Sequence, residues 1–217
     1  MKNYSTILFD LDGTLTDPKV GITKSVQFAL AKLGIDEPNL EKLTPFIGPP
    51  LDVSFQQFYA FNSSEVEQAV AYYRENFMKS GMYENVIYEG ISELLKFLKD
   101  KSKQLVVATS KLTVFAEQIL NHFEIDQFFD HVVGSNLDGS RSNKAEIVEY
   151  AISKYSGSPK SDFIMVGDRK YDIIGANENG IDSIGVMYGY GTQEELAQAN
   201  ATYMIDTVEE LFNLLSS

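Results

Sequence analysis

Short apolar runs recur along the chain, with helical stripes between them. The runs TILF (6–9), QLVVAT (104–109), HVVG (131–134), DFIMVG (162–167), SIGVM (183–187) and TYMI (202–205) are too short for helices and show almost no polar alternation. That is the pattern of strands buried on both faces. Ile91, Leu94, Leu95 and Leu98 form one stripe at helical spacing. Phe115, Ile119 and Leu120 form a second, and Ile147, Val148 and Ile152 a third. Strands alternating with helices in this way predict a parallel sheet covered on both faces. The closing VEELFNLLSS predicts a final packing helix.

Residues 18–85 break the alternation, because no strand pattern is found there. Ile22, Val26, Ala29, Leu30 and Leu33 follow a helical stripe that stops at Gly34, a residue suited to a left-handed C-terminal position. Ser64 followed by Glu67 has capping-box spacing, and Val66, Val70, Tyr73 and Phe77 then share a face until Gly81. The breakers Gly48, Pro49 and Pro50 separate two further short helices. The expected organisation is therefore an α/β core of residues 1–16 and 86–217, with a helical module of residues 17–85 inserted after the first strand.

Composition narrows the partners. Acidic residues outnumber basic ones 31 to 18, for a net charge of −13, which argues against a nucleic acid polymer or an anionic membrane surface. An acidic protein that handles an anionic substrate needs a local cation. The chain has no cysteine, so a disulfide framework and a thiolate metal site are excluded. MKNYSTILFD lacks a signal-peptide apolar segment, and no stretch approaches the roughly 18 apolar residues of a membrane span. The expectation is a cytoplasmic protein, a monomer or weak dimer.

In an open parallel sheet, ligands bind beyond the carboxyl ends of the strands. The first run ends in Asp10 and Asp12, followed by Gly13 and Thr14; QLVVAT ends in Thr109, Ser110 and Lys111. DFIMVG is followed by Asp168, with Asp172 four residues later, and Lys144 opens the helix NKAEIVEYAI. The collected set is carboxylates, two lysines and small hydroxyls. Clustered carboxylates at a strand end are tolerated where a cation, a proton or solvent relieves them.

This set resembles the haloacid dehalogenase-like superfamily of aspartate-nucleophile phosphatases, across essentially the whole chain. DLDGTLTD matches its first motif, Thr109 the second, Lys144 the third and VGDRKYD the fourth. DPKVGITKSVQFAL, FIGPPL and GSNLDGSRSNKAEIV look most like the phosphoglycolate phosphatase-like proteins of bacteria, particularly their 5′-nucleotidase-like branch. The resemblance implies an α/β fold with a doubly wound, Rossmann-like core and a small all-helical cap. It implies Asp10 as nucleophile, Asp12 as proton donor and acceptor, and Thr109 and Lys144 on the phosphoryl oxygens. It implies Mg²⁺ held by Asp10, the Asp12 carbonyl and Asp168, with Asp172 orienting a water or a neighbouring ligand. Physical chemistry supports the need for cations. At about 4 Å and an effective dielectric near 20, a carboxylate meeting a phosphate dianion is opposed by about 8 kcal/mol. One departure from the commonest fourth motif is Arg169, Lys170 and Tyr171 in place of small polar residues.

The resemblance also implies a small phosphorylated metabolite as substrate, touched in the core by Gly13, Thr14, Ser110 and Lys111. Lys111 is open between phosphate contact and helix-start polarity, and Asp17 before Pro18 reads as a helix start. Lys24 and Arg141 read as solvated surface residues, with substrate contact as the alternative; Lys24, in the helical module, is a cation that could meet the carboxylate of phosphoglycolate. In the cap, Gly48 and Phe46 flank a turn stiffened by two prolines, which suits a specificity loop. Phe46, Phe55, Phe58 and Tyr59 read first as cap core, with a ligand platform as the alternative. Residues 44–63 contain no Lys or Arg, which favours a stacking nucleoside over the carboxylate of phosphoglycolate. A nucleoside 5′-monophosphate is therefore the first expectation and phosphoglycolate the second, with a phosphosugar mutase or phosphosugar phosphatase after them. A dehalogenase has no need of the acidic pair Asp12 and Asp168, and a receiver domain would lack the cap.

Overall fold

The computed structural model describes residues 2–216. In chain order the regular elements are β1 (Thr6–Phe9), β2 (Thr16–Asp17), α1 (Lys19–Lys32), α2 (Leu51–Tyr59), α3 (Ser63–Lys79), β3 (Val86–Ile87) and α4 (Ile91–Asp100). They continue as β4 (Gln104–Leu112), α5 (Thr113–His122), β5 (His131–Ser135), α6 (Lys144–Ser153), β6 (Phe163–Gly167) and α7 (Lys170–Glu178). The chain finishes with β7 (Asp182–Val186), α8 (Gln193–Gln198), β8 (Tyr203–Ile205) and α9 (Val208–Ser216). Two compact units result. One comprises the chain up to Thr16 and from Ile87 onward, and the other is Asp17–Val86. The chain crosses between them in β2 and β3, which pair as a two-stranded ribbon.

The first unit is a parallel sheet in the order β5-β4-β1-β6-β7-β8. This is the α/β, doubly wound, Rossmann-like core that the alternating pattern predicts. β1 is central and every one of its residues is buried, because it is covered on both faces. Leu8, Val106 and Met165 point to one face, where they pack with Ile147 and Val148 of α6 and Ala176 of α7. Winding runs from β1 through β4 to β5, then returns to β6 on the other side of β1. That reversal opens a crevice beyond the carboxyl end of β1. Register sets its walls: Phe9 lies beside Val107 on β4 and Val166 on β6, so the residues after these three face one another.

The second unit is helical. α1 packs on α3 and on the 3₁₀ turn Gly81–Tyr83 that follows it; the second approach needs Gly21, since a Cβ there would collide with the carbonyl of Gly81. Ser25 Oγ accepts from Asn76 Nδ2 at 3.1 Å across the same seam. Gly34 has φ +81, the left-handed conformation its position after α1 suggests. The capping box of α3 differs from expectation. It begins two residues earlier, at Asn62, whose Oδ1 accepts from Ser64 N and Glu65 N while Glu65 reaches back to Asn62 N. An Asn at this position satisfies the same orphan donors as a Ser and stabilises by about 1 kcal/mol. Leu40–Phe46 is a 3₁₀ helix, and the Gly48-Pro49-Pro50 turn separates it from α2.

Candidate active site

The strand ends deliver the expected side chains to one place in the α/β unit. Asp10 N donates to Val166 O at 2.9 Å, continuing the ladder one residue past β1. The chain then turns sharply: Gly13 N donates to Thr16 O, and Thr14 N and Leu15 N both donate to Leu11 O. Gly13 is at φ +84 with the Asp168 carboxylate against it, so no side chain fits there. On β4 the register with β5 shifts between Ala108 and Leu112. Such irregularities re-aim side chains, here those of Thr109, Ser110 and Lys111. Thr109 Oγ1 accepts from Lys111 N at 3.2 Å, and Ser110 O accepts from Ser135 Oγ at 2.9 Å.

Lys144, the first residue of α6, joins these pieces. Its Nζ lies 3.0 Å from Asp10 Oδ1 and 2.7 Å from Asp172 Oδ1, and donates to Ala108 O at 3.0 Å. Gly175 makes room for the Lys144 stem against α7, and Gly167 makes room for Asp172. Asp172 also caps α7, its Oδ2 accepting from Arg169 N at 3.0 Å. Asp12 is set apart from this group and pairs with Lys111, Nζ to Oδ2 at 2.9 Å. The two leading aspartates therefore have separate lysines.

Burial governs the charges. Asp168 is fully buried, and that burial, with the charges of Asp172 and Asp10, holds its carboxyl well above the usual range. Burial likewise pushes Asp172 up to about 6, against the pull of Lys144. Asp12 is raised chiefly by burial and secondarily by Asp10, with Lys111 opposing. Burial alone would lower Lys144, yet Asp10 and Asp172 raise it above the ordinary lysine value. One carboxylate oxygen from each of Asp10, Asp168 and Asp172 lies within 4.8 Å of the others. Asp168 Oδ1 accepts no hydrogen bond from any described residue. All-oxygen donors, an orphaned buried carboxylate oxygen and surplus negative charge fit a hard divalent cation.

The haloacid dehalogenase-like hydrolase family model matches residues 7–186. The chain belongs to this family. A relative called 5′-nucleotidase from Pseudomonas aeruginosa is 47% identical over 99% of this chain and 96% of its own. Another, the tyrosine-protein kinase PtkA of Mycobacterium tuberculosis, is 35% identical over 94% of this chain and 70% of its own. The crystal structure of a predicted phosphatase from Clostridium acetobutylicum superposes with a TM-score of 0.94 at 48% identity, covering 98% of each chain.

Among these family residues, several differ from the sequence expectation. The N–H groups of Gly13 and Thr14, expected to touch substrate, are used inside the turn, and Thr14 is fully buried. Their backbone shapes the loop, while Thr14 Oγ1 is buried with no hydrogen bond to any described residue. Phe46, named as a substrate contact beside the specificity turn, is 2% exposed and packs on Phe55, Phe58 and Tyr59 with centroids at 5.0, 5.4 and 6.2 Å. It is core of the helical unit. Phe58, 42% exposed, is the member of that cluster with an open face. Gly48 has φ +101 in its Gly-Pro-Pro turn. Arg141 is engaged, donating to Asn136 Oδ1 at 2.6 Å and lying over the Tyr150 ring. Arg169 is answered by Glu195, whose Oε1 accepts from Arg169 Nε at 3.0 Å and Lys170 N at 2.9 Å. The sequence reading missed Tyr188–Gly191 after β7, which reaches back to the turn and to Asp168. The signal was a Gly-Tyr-Gly directly beyond a strand. Among the described residues, no helix is long and apolar enough to cross a membrane.

Proposed function

We propose that this phosphoric monoester hydrolase removes the phosphate of nucleoside 5′-monophosphates, with Asp10 as nucleophile and Mg²⁺ as its metal. The observation that carries the chemistry is the separation of the two leading aspartates. Asp10 and Asp172 of the buried triad share Lys144, while Asp12 stands outside it on Lys111. Asp10, Asp168, Asp172 and the Asp12 carbonyl would hold the ion, which when bound neutralises phosphoryl charge that would otherwise repel Asp10.

An Asp10 oxygen attacks phosphorus, and the bond from phosphorus to the ester oxygen breaks. The Asp12 carboxyl delivers its proton to that oxygen, and its burial favours the protonated form. Asp12, now a carboxylate, takes a proton from water. The resulting oxygen attacks the aspartyl-phosphate, releasing inorganic phosphate and restoring Asp10. Lys144 and Thr109 steady the phosphoryl oxygens, and Lys111 and Ser110 meet the same group from β4.

The helical unit, residues 17–85, serves as the cap that selects the leaving group. Support for a nucleoside is the kinship to a protein called 5′-nucleotidase, together with the engagement of Lys24. That lysine, which could have met the carboxylate of phosphoglycolate, is ion-paired to Glu84 at 2.6 Å. The test is kcat/KM over nucleoside 5′-monophosphates, phosphoglycolate and sugar phosphates, with Mg²⁺ and after chelation. Nucleotides should lead and chelation should abolish turnover. A clear lead for phosphoglycolate, lost in Lys24→Ala, would overturn the substrate assignment.

A further inference from the structure

We propose that Tyr188 is a positioning residue that fixes Asp168 as a one-oxygen metal donor, acting through the segment Tyr188–Gly191. The inference rests on the metal site argued above. Tyr188 Oη donates to Thr14 O at 3.0 Å, tying the segment to the turn that carries Asp10 and Asp12. Two residues on, Tyr190 N donates to Asp168 Oδ2 at 2.8 Å. Asp168 Oδ2 is thereby occupied, Oδ1 accepts no hydrogen bond from any described residue, and one oxygen of this carboxylate lies within 4.8 Å of oxygens of Asp10 and Asp172.

Sterics complete the box. A Cβ on Gly189 would collide with Gly13 O and Asp168 Cβ, and one on Gly191 with Asp168 O. A Cβ on Gly13 would meet the same carboxylate from the other side. Asp168 therefore has backbone against it from the nucleophile turn and from the post-β7 segment, and the Tyr188 hydroxyl holds those two walls together. The Tyr188 ring packs edge-on against Tyr88 at 5.0 Å, and Tyr88 N donates to Leu15 O at 3.1 Å. The hydroxyl is thus aimed from a fixed ring. Groups that orient a ligating carboxylate typically change metal affinity tenfold or more when removed.

The experiment is direct calorimetric titration of Mn²⁺ and Mg²⁺ into the full chain, for the native protein, Tyr188→Phe, Gly189→Ala and Asp168→Asn. Tyr188→Phe keeps the ring and should raise the metal Kd about tenfold, with a melting temperature close to native. Gly189→Ala should weaken binding further; should it fail to fold, Tyr188→Phe still decides. A native-like Kd in folded Tyr188→Phe, with Asp168→Asn impaired, overturns the positioning role and leaves the metal site standing. Absence of saturable binding in the native protein overturns the metal site itself.

Discussion

Replacing Lys144 with Met tests the electrostatic design of the site most directly. The ammonium sits 3.0 Å from Asp10 and 2.7 Å from Asp172, and its side chain is 4% exposed. At an effective dielectric near 20, each pair is attractive by about 6 kcal/mol. Desolvation offsets most of this, and breaking a buried pair costs about 4 kcal/mol net, because the remaining carboxylates stay buried without a cation. The sign with pH follows from the carboxyls. Asp172 is raised from 3.8 to about 6, so the folded protein holds this proton more tightly than the unfolded chain does. Its contribution to stability is most favourable below about pH 4 and declines as pH rises through about 6. Lys144, raised above 10.5, stays charged across that range and adds no slope of its own. Removing it lifts Asp172 further and steepens the decline. The chain has no tryptophan, so urea unfolding of metal-free protein is best followed by far-UV circular dichroism. Lys144→Met should lose about 4 kcal/mol near pH 8 and roughly half of that near pH 5, where protons replace the missing cation. An equal deficit at both pH values, or none, would refute the reasoning.

Three further outcomes are expected. Asp12→Asn should slow hydrolysis of alkyl phosphates far more than that of nitrophenyl phosphate, whose leaving group needs no proton; equal losses would remove Asp12 as the acid. Metal affinity, measured by calorimetry, should weaken at least tenfold per pH unit below about 6, as a proton competes at Asp172; a flat profile would exclude it as a ligand. Phe46→Ala should destabilise the protein by about 3 kcal/mol, whereas Phe58→Ala should change stability by less than about 1 kcal/mol and raise KM for nucleotides; the reverse pattern would return Phe46 to the substrate.

Much of this protein is legible in one dimension because its signals are local. A strand buried on both faces must be apolar throughout, so TILF and DFIMVG announce themselves, and the carboxylates after them stand out by contrast. What lay beyond reach depends on residues distant in sequence. That Lys111 faces Asp12 while Lys144 faces Asp10 and Asp172 follows from the irregularity in β4 and the return of the chain from β5 to β6. Phe46 reads as core or as platform until Phe55, Phe58 and Tyr59 are seen against it. The glycines after β7 look like an ordinary turn; their need is set by atoms of Gly13 and Asp168, brought against them only by the fold. Periodicity is a property of neighbours along the chain, so sequence alone determined the elements and the list of reactive groups. Pairing, burial and close approach are properties of neighbours in space, and tertiary structure decided which group meets which.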